Sequence, residues 1–447
     1  MNTKASSFFY VLAALLFASW VFLPNYFGGY VSGTKHLYEF VILIVFVTIG
    51  LVKPGRVIYV FTNDILAISV LIAIIFGVVG GMTQSNPVGE IRQVGTHMVF
   101  HLMLYTSIVS ASFDILTRSK IFKLLLLSVA FMTFLTLMSY FFPSNSYIEY
   151  LRQDPDRAYR YADRLEAGRA RFLGIFPNSV FTATNGGYTA LLGVALYRAG
   201  HLYGSSMMKR LFATTLVVLG SLFTFLTLSR GPYIFLAMTM AVFWIFSGQI
   251  SVLNYKFILK LIMLAFGLFV AYEYLQWMID QRGGEDAVSS NIRLIIWSTA
   301  VNLIYSFDAK ELVFGAGYLK LSAESGFRHA HNLYLNSLLV AGPVVAMTVT
   351  TALIVRLRSI HKLFNAPMYS KILSARRSDK AILYSSILMT LFFFLTGVTS
   401  VGPTRDIRTI TPLVVIFGMA SSILLNYKPI TLASKLNKQE YDSEIKI

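Results

Sequence analysis

The sequence predicts an all-α polytopic membrane protein of about 12 transmembrane helices, with two larger loops on one side. Three observations predict it. Hydrophobic residues make up 56% of the 447-residue chain and charged residues only 13%, against about 25% charged in a soluble domain. Apolar runs recur along the whole chain at roughly the 20-residue length that a bilayer span needs. The longest polar stretches reach about 50 residues, too short for an ordinary separate domain, so residues 1–447 read as a single transmembrane domain.

In chain order the predicted spans are 8–23, 37–52, 64–82, 94–113, 121–142, 179–198, 211–229, 232–248, 257–279, 331–355, 381–399 and 411–426. Lys4 precedes the first run and no small-residue cleavage site stands before Pro24, so that run is expected to be a retained span. The apolar stretch 211–247 would make one helix of about 55 Å, against a hydrocarbon core of about 30 Å. It must turn, and Ser229-Arg230-Gly231-Pro232 is where it can, with Pro232 suited to a new first turn. The tail after Lys428 is polar and is expected to be disordered.

Charge sets the orientation. Lys53, Arg56, Arg118, Lys120, Lys123, Arg198, Lys209, Arg210, Lys256, Lys260 and the basic run 356–380 fall on one side, with Lys4 and the tail 427–447. That side reads as cytoplasmic, with both termini there. This placement accounts for most of the net charge of +17 without nucleic acid. The opposite side departs from the rule. Its loop 143–178 carries Arg152, Arg157, Arg160, Arg164, Arg169 and Arg171, and its loop 280–330 carries Arg282, Arg293 and Arg328. By this assignment the outer side has thirteen Arg and three Lys, the inner side eight Arg and fourteen Lys. Topology needs positive charge of either kind. Arg in place of Lys offers a planar fork that grips phosphate at two points. The bland reading of loop 143–178 is a solvated amphipathic helix whose Arg pair with Asp154, Asp156, Asp163 and Glu166. Arg230 is a cation at a break between two apolar spans, and such cations serve ligands.

Several chemistries are excluded or disfavoured. With no Cys, disulfides and thiolate catalysis are out. The chain has no Walker-type loop, and Gly315-x-Gly317 falls short of a dinucleotide fingerprint. His329 and His331 have no evident third ligand, so no metal is expected. Acidic residues are sparse in the spans, Glu39 and Asp64 being exceptions expected at interfaces, which disfavours a proton-coupled transporter. What remains is an outer-leaflet site with many Arg and one or two His. Such a site suits group transfer from a phosphate-bearing lipid to a hydroxyl: Arg neutralises the leaving diphosphate and His takes the acceptor's proton. His331 also reads as a helix-start residue bonded to backbone.

Those residues carry a resemblance. Leu228-Ser229-Arg230-Gly231, Arg293-Leu-Ile-Ile-Trp297, Gly315-Ala-Gly317, His331-Asn332-Leu-Tyr-Leu and Gly342 stand in the order and spacing of the bacterial O-antigen ligase and polysaccharide polymerase superfamily. The resemblance is specific over about residues 220–345. It implies a metal-independent, inverting glycosyltransferase of the inner membrane, without cofactor, working at the periplasmic face. The two larger loops are then periplasmic. The implied donor is an undecaprenyl-diphosphate-linked oligosaccharide. The implied acceptor is another lipid-linked repeat unit in a polymerase, or lipid A–core in a ligase, and a chain-length regulator is an expected partner. Carried over, His331 activates the acceptor, Arg230 and Arg293 hold the diphosphate, Asn332 orients the site and Gly342 allows close helix packing. Arg328 and His329 are auxiliary substrate-binding groups. Relatives often have an acid shortly before the Gly342 position, where this chain has Val340-Ala341, so a carboxylate partner for His331 is in question.

The Arg-rich loop, with Arg157, Arg164 and Arg171 as candidate substrate-binding groups, favours a polymerase, since two basic loops can hold two diphosphate-linked substrates. Arg157 and Gly168 also fit an Arg-ten-residues-Gly pattern. The alternatives are an O-antigen ligase, a flippase or exporter of lipid-linked glycans, and an envelope scaffold. A transporter would usually show inverted repeats, and none is visible; a scaffold would not need the arginines.

Overall fold

The computed structural model describes residues 3–23, 37–82, 86–94, 98–142, 145–148, 172–176, 179–200, 207–227, 229–246, 273, 285–317, 332–365, 376–397 and 407–444. Among these there are helices and no strands, as an apolar solvent requires of a chain that does not close a barrel. We number the principal helices α1 (Thr3–Phe22), α2 (Leu37–Val52), α3 (Pro54–Asn63), α4 (Ile65–Met82), α5 (Pro87–Val94), α6 (Phe100–Ala111), α7 (Ile115–Phe141), α8 (Ser179–Arg198), α9 (Met207–Leu226), α10 (Arg230–Phe246), α11 (Glu285–Tyr305), α12 (Ala309–Phe314), α13 (Leu333–Asn365), α14 (Arg377–Gly397) and α15 (Ile407–Glu444).

Six of the described helices are long and apolar enough to cross a membrane: α4, α7, α9, α13, α14 and the Thr409–Tyr427 part of α15. The chain is thus an all-α polytopic membrane protein. Shorter apolar stretches are Ser7–Phe22 in α1, the whole of α6, Gly231–Trp244 in α10 and Leu294–Tyr305 in the later part of α11. The pair α2 and α3 qualifies together, yet it bends by 104° at Lys53, where Pro54 opens a new helix. The predicted ninth span, 257–279, lies outside the described residues except Glu273. The predicted break between the seventh and eighth spans is present: α9 ends at Leu226 and α10 starts at Arg230.

Three expectations need correction. The predicted loop 280–330 contains two helices. In α11, Ile296, Ala300 and Leu303 recur at helical spacing and bury one stripe, while polar residues upstream hid that pattern. In α12, the Asp308 carboxylate accepts from the Glu311 amide (2.7 Å), a cap that starts a helix. The basic run 356–380 is helical up to Asn365 and again from Arg377. The tail is not irregular: α15 continues to Glu444, through residues of good helix propensity after Pro429.

The core is assembled by close backbone approach and buried polar ties. A Cβ on Gly186 of α8 would lie 2.7 Å from the Gly220 carbonyl of α9, and one on Gly193 2.8 Å from that of Ala213. Small residues allow such contact where lipid supplies no hydrophobic drive between helices. The charges read as topology signals include two that are buried instead. Arg118, 1% exposed, binds Asp379 at the start of α14, and Arg356, 3% exposed, donates to the Tyr105 hydroxyl (3.3 Å) and the Phe417 carbonyl. Asp64, expected at an interface, is buried and caps α4 through the amides of Leu66 (2.9 Å) and Ala67 (3.2 Å), while accepting from Tyr105 (2.8 Å). Glu39 is buried as well.

Candidate active site

The bundle has two distinguishable ends. At one end lie the Arg118, Arg356 and Asp64 ties just described, which join the start of α7, the start of α14, the start of α4, the middle of α6 and the later part of α13. At the opposite end, the Tyr334 hydroxyl in the first turn of α13 donates to the Phe394 carbonyl of α14 (2.6 Å). A Cβ on Gly397 there would lie 3.0 Å from Leu333. The α9–α10 break belongs to this second end. Thr224, just before it, donates to the Ala183 carbonyl of α8 (3.0 Å), and a Cβ on neighbouring Gly187 would overlap Phe392 of α14. Phe243, late in α10, stacks edge-on against Tyr384, early in α14 (5.7 Å), so α10 and α14 run in opposite directions and α10 begins near the end of α14.

The start of α13 is fixed by Asn332. Its side-chain oxygen accepts from the amides of Tyr334 (2.9 Å) and Leu335 (3.1 Å). This is N-cap geometry, which satisfies two of the four amides that a helix start leaves unpaired. His331 immediately precedes this cap in sequence. The α11 helix, which carries Arg293, is tied to the same helix start. Its Ile296, Ala300 and Leu303 share one buried apolar cluster with Leu339 of α13 and with Phe307 and Ala316, and Leu335 packs on it.

The glycines of the predicted motifs meet one another. Gly342 interrupts α13 at φ +77°, and Pro343 follows. Pro343 has no amide to offer the Leu339 carbonyl, its normal helical acceptor. The Ala316 amide donates to that carbonyl instead (2.6 Å). This places Gly315, at φ +78°, against the Val340–Gly342 backbone: a Cβ on Gly342 would lie 2.8 Å from the Gly315 nitrogen and from the Val313 carbonyl oxygen. Both sites need a conformation that side chains disfavour and a space that they would fill. The close packing expected of Gly342 is therefore present, and its partner is the Gly315-Ala-Gly317 turn.

Sequence reasoning missed Glu90. It lies on the short helix α5, is 2% exposed, and packs where α4 has glycine. A Cβ on Gly317 would lie 2.7 Å from its Oε1 and 2.9 Å from its Oε2. The one signal available was an acidic residue between two apolar spans, in the helix-start sequence Asn86-Pro87-Val88-Gly89-Glu90. Asn86 does cap this helix, accepting from the Gly89 amide (3.0 Å).

Arg328, His329, His331, Arg157, Arg164 and Arg171 lie outside the described residues. Of Arg230 and Arg293 the backbone is described, the first opening α10 and the second within α11. The structure thus brings the starts of α10 and α13 to one end, through α14, and docks α11 on α13. Among the described residues no group of acids and histidines could hold a metal ion.

No curated protein matches the chain. Residues 215–350 match the family model described as O-antigen ligase, a segment running from α9 across the Gly342 break into α13. It contains Arg230, Arg293, Arg328, His329, His331 and Asn332, and the match supports the resemblance of this segment to the O-antigen ligase and polysaccharide polymerase superfamily.

Proposed function

We propose that the chain is a bacterial inner-membrane glycosyltransferase that polymerises undecaprenyl-diphosphate-linked glycan repeat units at the periplasmic face. His331 takes the proton of the acceptor hydroxyl as that oxygen attacks the anomeric carbon of the donor glycan. The bond from that carbon to the diphosphate oxygen breaks with inversion, and undecaprenyl diphosphate leaves against Arg230 and Arg293. Guanidinium groups aimed at the leaving oxygens stabilise charge that grows only as the bond breaks. No metal is required for this division of labour, and Arg157, Arg164, Arg171, Arg328 and His329 serve substrate binding.

The observation that carries this reading is the shared end of the bundle: the break that begins α10 at Arg230 and the Asn332-capped start of α13 both adjoin the end of α14. Donor and acceptor groups held on separate helices need such a common site for proximity to lower the barrier. A ligase that uses lipid A–core as acceptor is the second reading, favoured by the description of the matched family. The test is turnover of purified protein in lipid vesicles, supplied with lipid-linked repeat units alone or with lipid A–core. Lengthened lipid-linked glycan is expected in the first case, and its loss in His331→Ala. Product on lipid A–core alone would establish the ligase reading, and full transfer by His331→Ala would sink both.

A further inference from the structure

Helix α3 runs across the bundle and not along it. The 104° bend at Lys53 turns it away from α2, so its length of about 15 Å adds nothing to the reach of that helix. Asp64 follows at once and caps α4. Helix α3 therefore joins α2 sideways to the span α4, at the end of the bundle opposite the start of α13.

Its sequence divides its circumference in two. At 3.6 residues per turn, Pro54, Val57, Ile58, Val60 and Phe61 fall on one side, and Gly55, Arg56, Tyr59, Thr62 and Asn63 on the other. That division suits a helix lying on a boundary between apolar and aqueous surroundings. Part of each side faces the protein. Val60 is buried, and Val57 and Phe61 pack on the main core. Arg56 stands 5.3 Å over the Phe9 ring of α1 and 5.8 Å over the Phe113 ring, and its Nη1 donates to the Ser110 carbonyl near the end of α6 (3.1 Å). Tyr59 meets Phe113 edge-on (5.8 Å). These contacts fix how α3 is rolled about its own axis.

The remaining arc is exposed and is itself split. Ile58, 61% exposed, stands on the apolar side, while Gly55, Tyr59 and Thr62 are exposed on the polar side. Exposed apolar residues also flank the helix in sequence, Leu51 and Val52 at the end of α2 and Ile65 at the start of α4. The exposed face of Ile58 is thus continuous along the chain with that of a membrane span. Lys53, exposed at the corner, has a stem that can lie along apolar surface while its ammonium stays in water beside headgroup phosphates.

We infer that α3 is an interfacial helix whose partner is the phospholipid surface: it lies flat at the lipid–water boundary, with Ile58 turned toward the acyl chains and Gly55 toward the water. Through Arg56 and Tyr59 it then sets the depth at which α1 and the α6–α7 turn sit in the membrane.

The chain has no Cys, so a single introduced thiol takes a nitroxide label at one site. The test labels Ile58→Cys and Gly55→Cys separately in the full-length protein, in vesicles of phosphatidylethanolamine and phosphatidylglycerol. It measures collisions of each label with oxygen, which concentrates among acyl chains, and with a neutral nickel chelate, which stays in water. A Cβ at Gly55 meets nothing within 4 Å, so the label there has room. The oxygen-to-nickel ratio is expected to be at least about threefold higher at Ile58 than at Gly55, as a helix lying in the boundary requires. Equal ratios would overturn the inference: low at both sites, α3 stands in water and its exposed face is free for another partner; high at both, α2 and α3 form one bent span inside the hydrocarbon. A higher ratio at Gly55 would overturn it as well. Each labelled variant must keep the wild-type thermal midpoint. If one does not, Leu51→Cys replaces Ile58→Cys, or Thr62→Cys replaces Gly55→Cys, with the same readings. No substrate is present, so the outcome stands apart from the proposed transfer reaction.

Discussion

Arg118 grips Asp379 at two points inside the bundle, Nε to Oδ1 at 2.9 Å and Nη2 to Oδ2 at 2.8 Å, with both side chains at most 2% exposed. A third guanidinium bond goes to the Ser112 carbonyl (2.9 Å). The pair joins the first turns of α7 and α14 to the end of α6. Removing one partner strands the other charge away from water, at a cost of about 3–5 kcal/mol. Asp379→Ala should therefore lower the thermal midpoint in detergent sharply. Asp379→Asn with Arg118→Gln, which removes both charges, should recover much of that loss. A midpoint unchanged in Asp379→Ala would show that the pair does not hold these helices.

Counting basic residues by loop assigned Arg118 and Arg356 to the cytoplasmic surface. That rule reads charge against a membrane and contains no information about a partner 261 residues away. The same blindness hid Glu90, whose contact at Gly317 is set by the packing of α4, α5 and α12. Local signals fared better. The α9–α10 break follows from a run too long for a bilayer and a Pro at its turn. Gly342-Pro343 is an equally local signal, but hydropathy alone runs the predicted span 331–355 straight through it, and the structure breaks α13 there. The apolar stripe of α11 was obscured because only half of the helix is apolar.

Gly342→Ala should be among the most damaging small substitutions. The added methyl would overlap the Gly315 nitrogen and the Val313 carbonyl, each 2.8 Å away, and φ +77° costs an alanine about 1–2 kcal/mol besides. The expected result is a lower thermal midpoint together with lost glycan transfer. Pro343→Ala makes the sharper comparison. It restores an amide able to reach the Leu339 carbonyl, in competition with Ala316, so it should leave the midpoint near wild type while reducing transfer. Normal transfer in Pro343→Ala would mean that the Ala316–Leu339 bond does not set the geometry of the site.

Asn332 separates capping from chemistry. Both acceptor positions of its side-chain oxygen are occupied by the amides of Tyr334 and Leu335, so whatever further bond this side chain makes comes from its amide nitrogen. Asn332→Ala loses the cap, at about 1 kcal/mol, and should lose activity with it. Asn332→Asp keeps the cap and lacks the donor. It should fold like the wild type, judged by thermal midpoint, and transfer glycan at least several-fold more slowly. Full activity in Asn332→Asp would reduce Asn332 to a cap.

Arg230 opens α10 directly after the break that follows α9, at the end of the bundle shared with the start of α13. A helix start adds partial positive charge to that of the side chain, which suits a diphosphate. Lysine there would keep the charge and lose the two-point grip, and glutamine would lose both. If the diphosphate is held at this position, Arg230→Lys should lower kcat/KM moderately and Arg230→Gln severely, with thermal midpoints near wild type in both. The order matters more than the size: loss graded from Arg through Lys to Gln follows phosphate binding, whereas equal loss in both variants points to a packing role, and wild-type turnover in Arg230→Gln removes Arg230 from the reaction. Measuring retention of undecaprenyl diphosphate by the same variants separates grip on the leaving group from effects on the acceptor, because the lipid diphosphate alone contains no sugar to transfer.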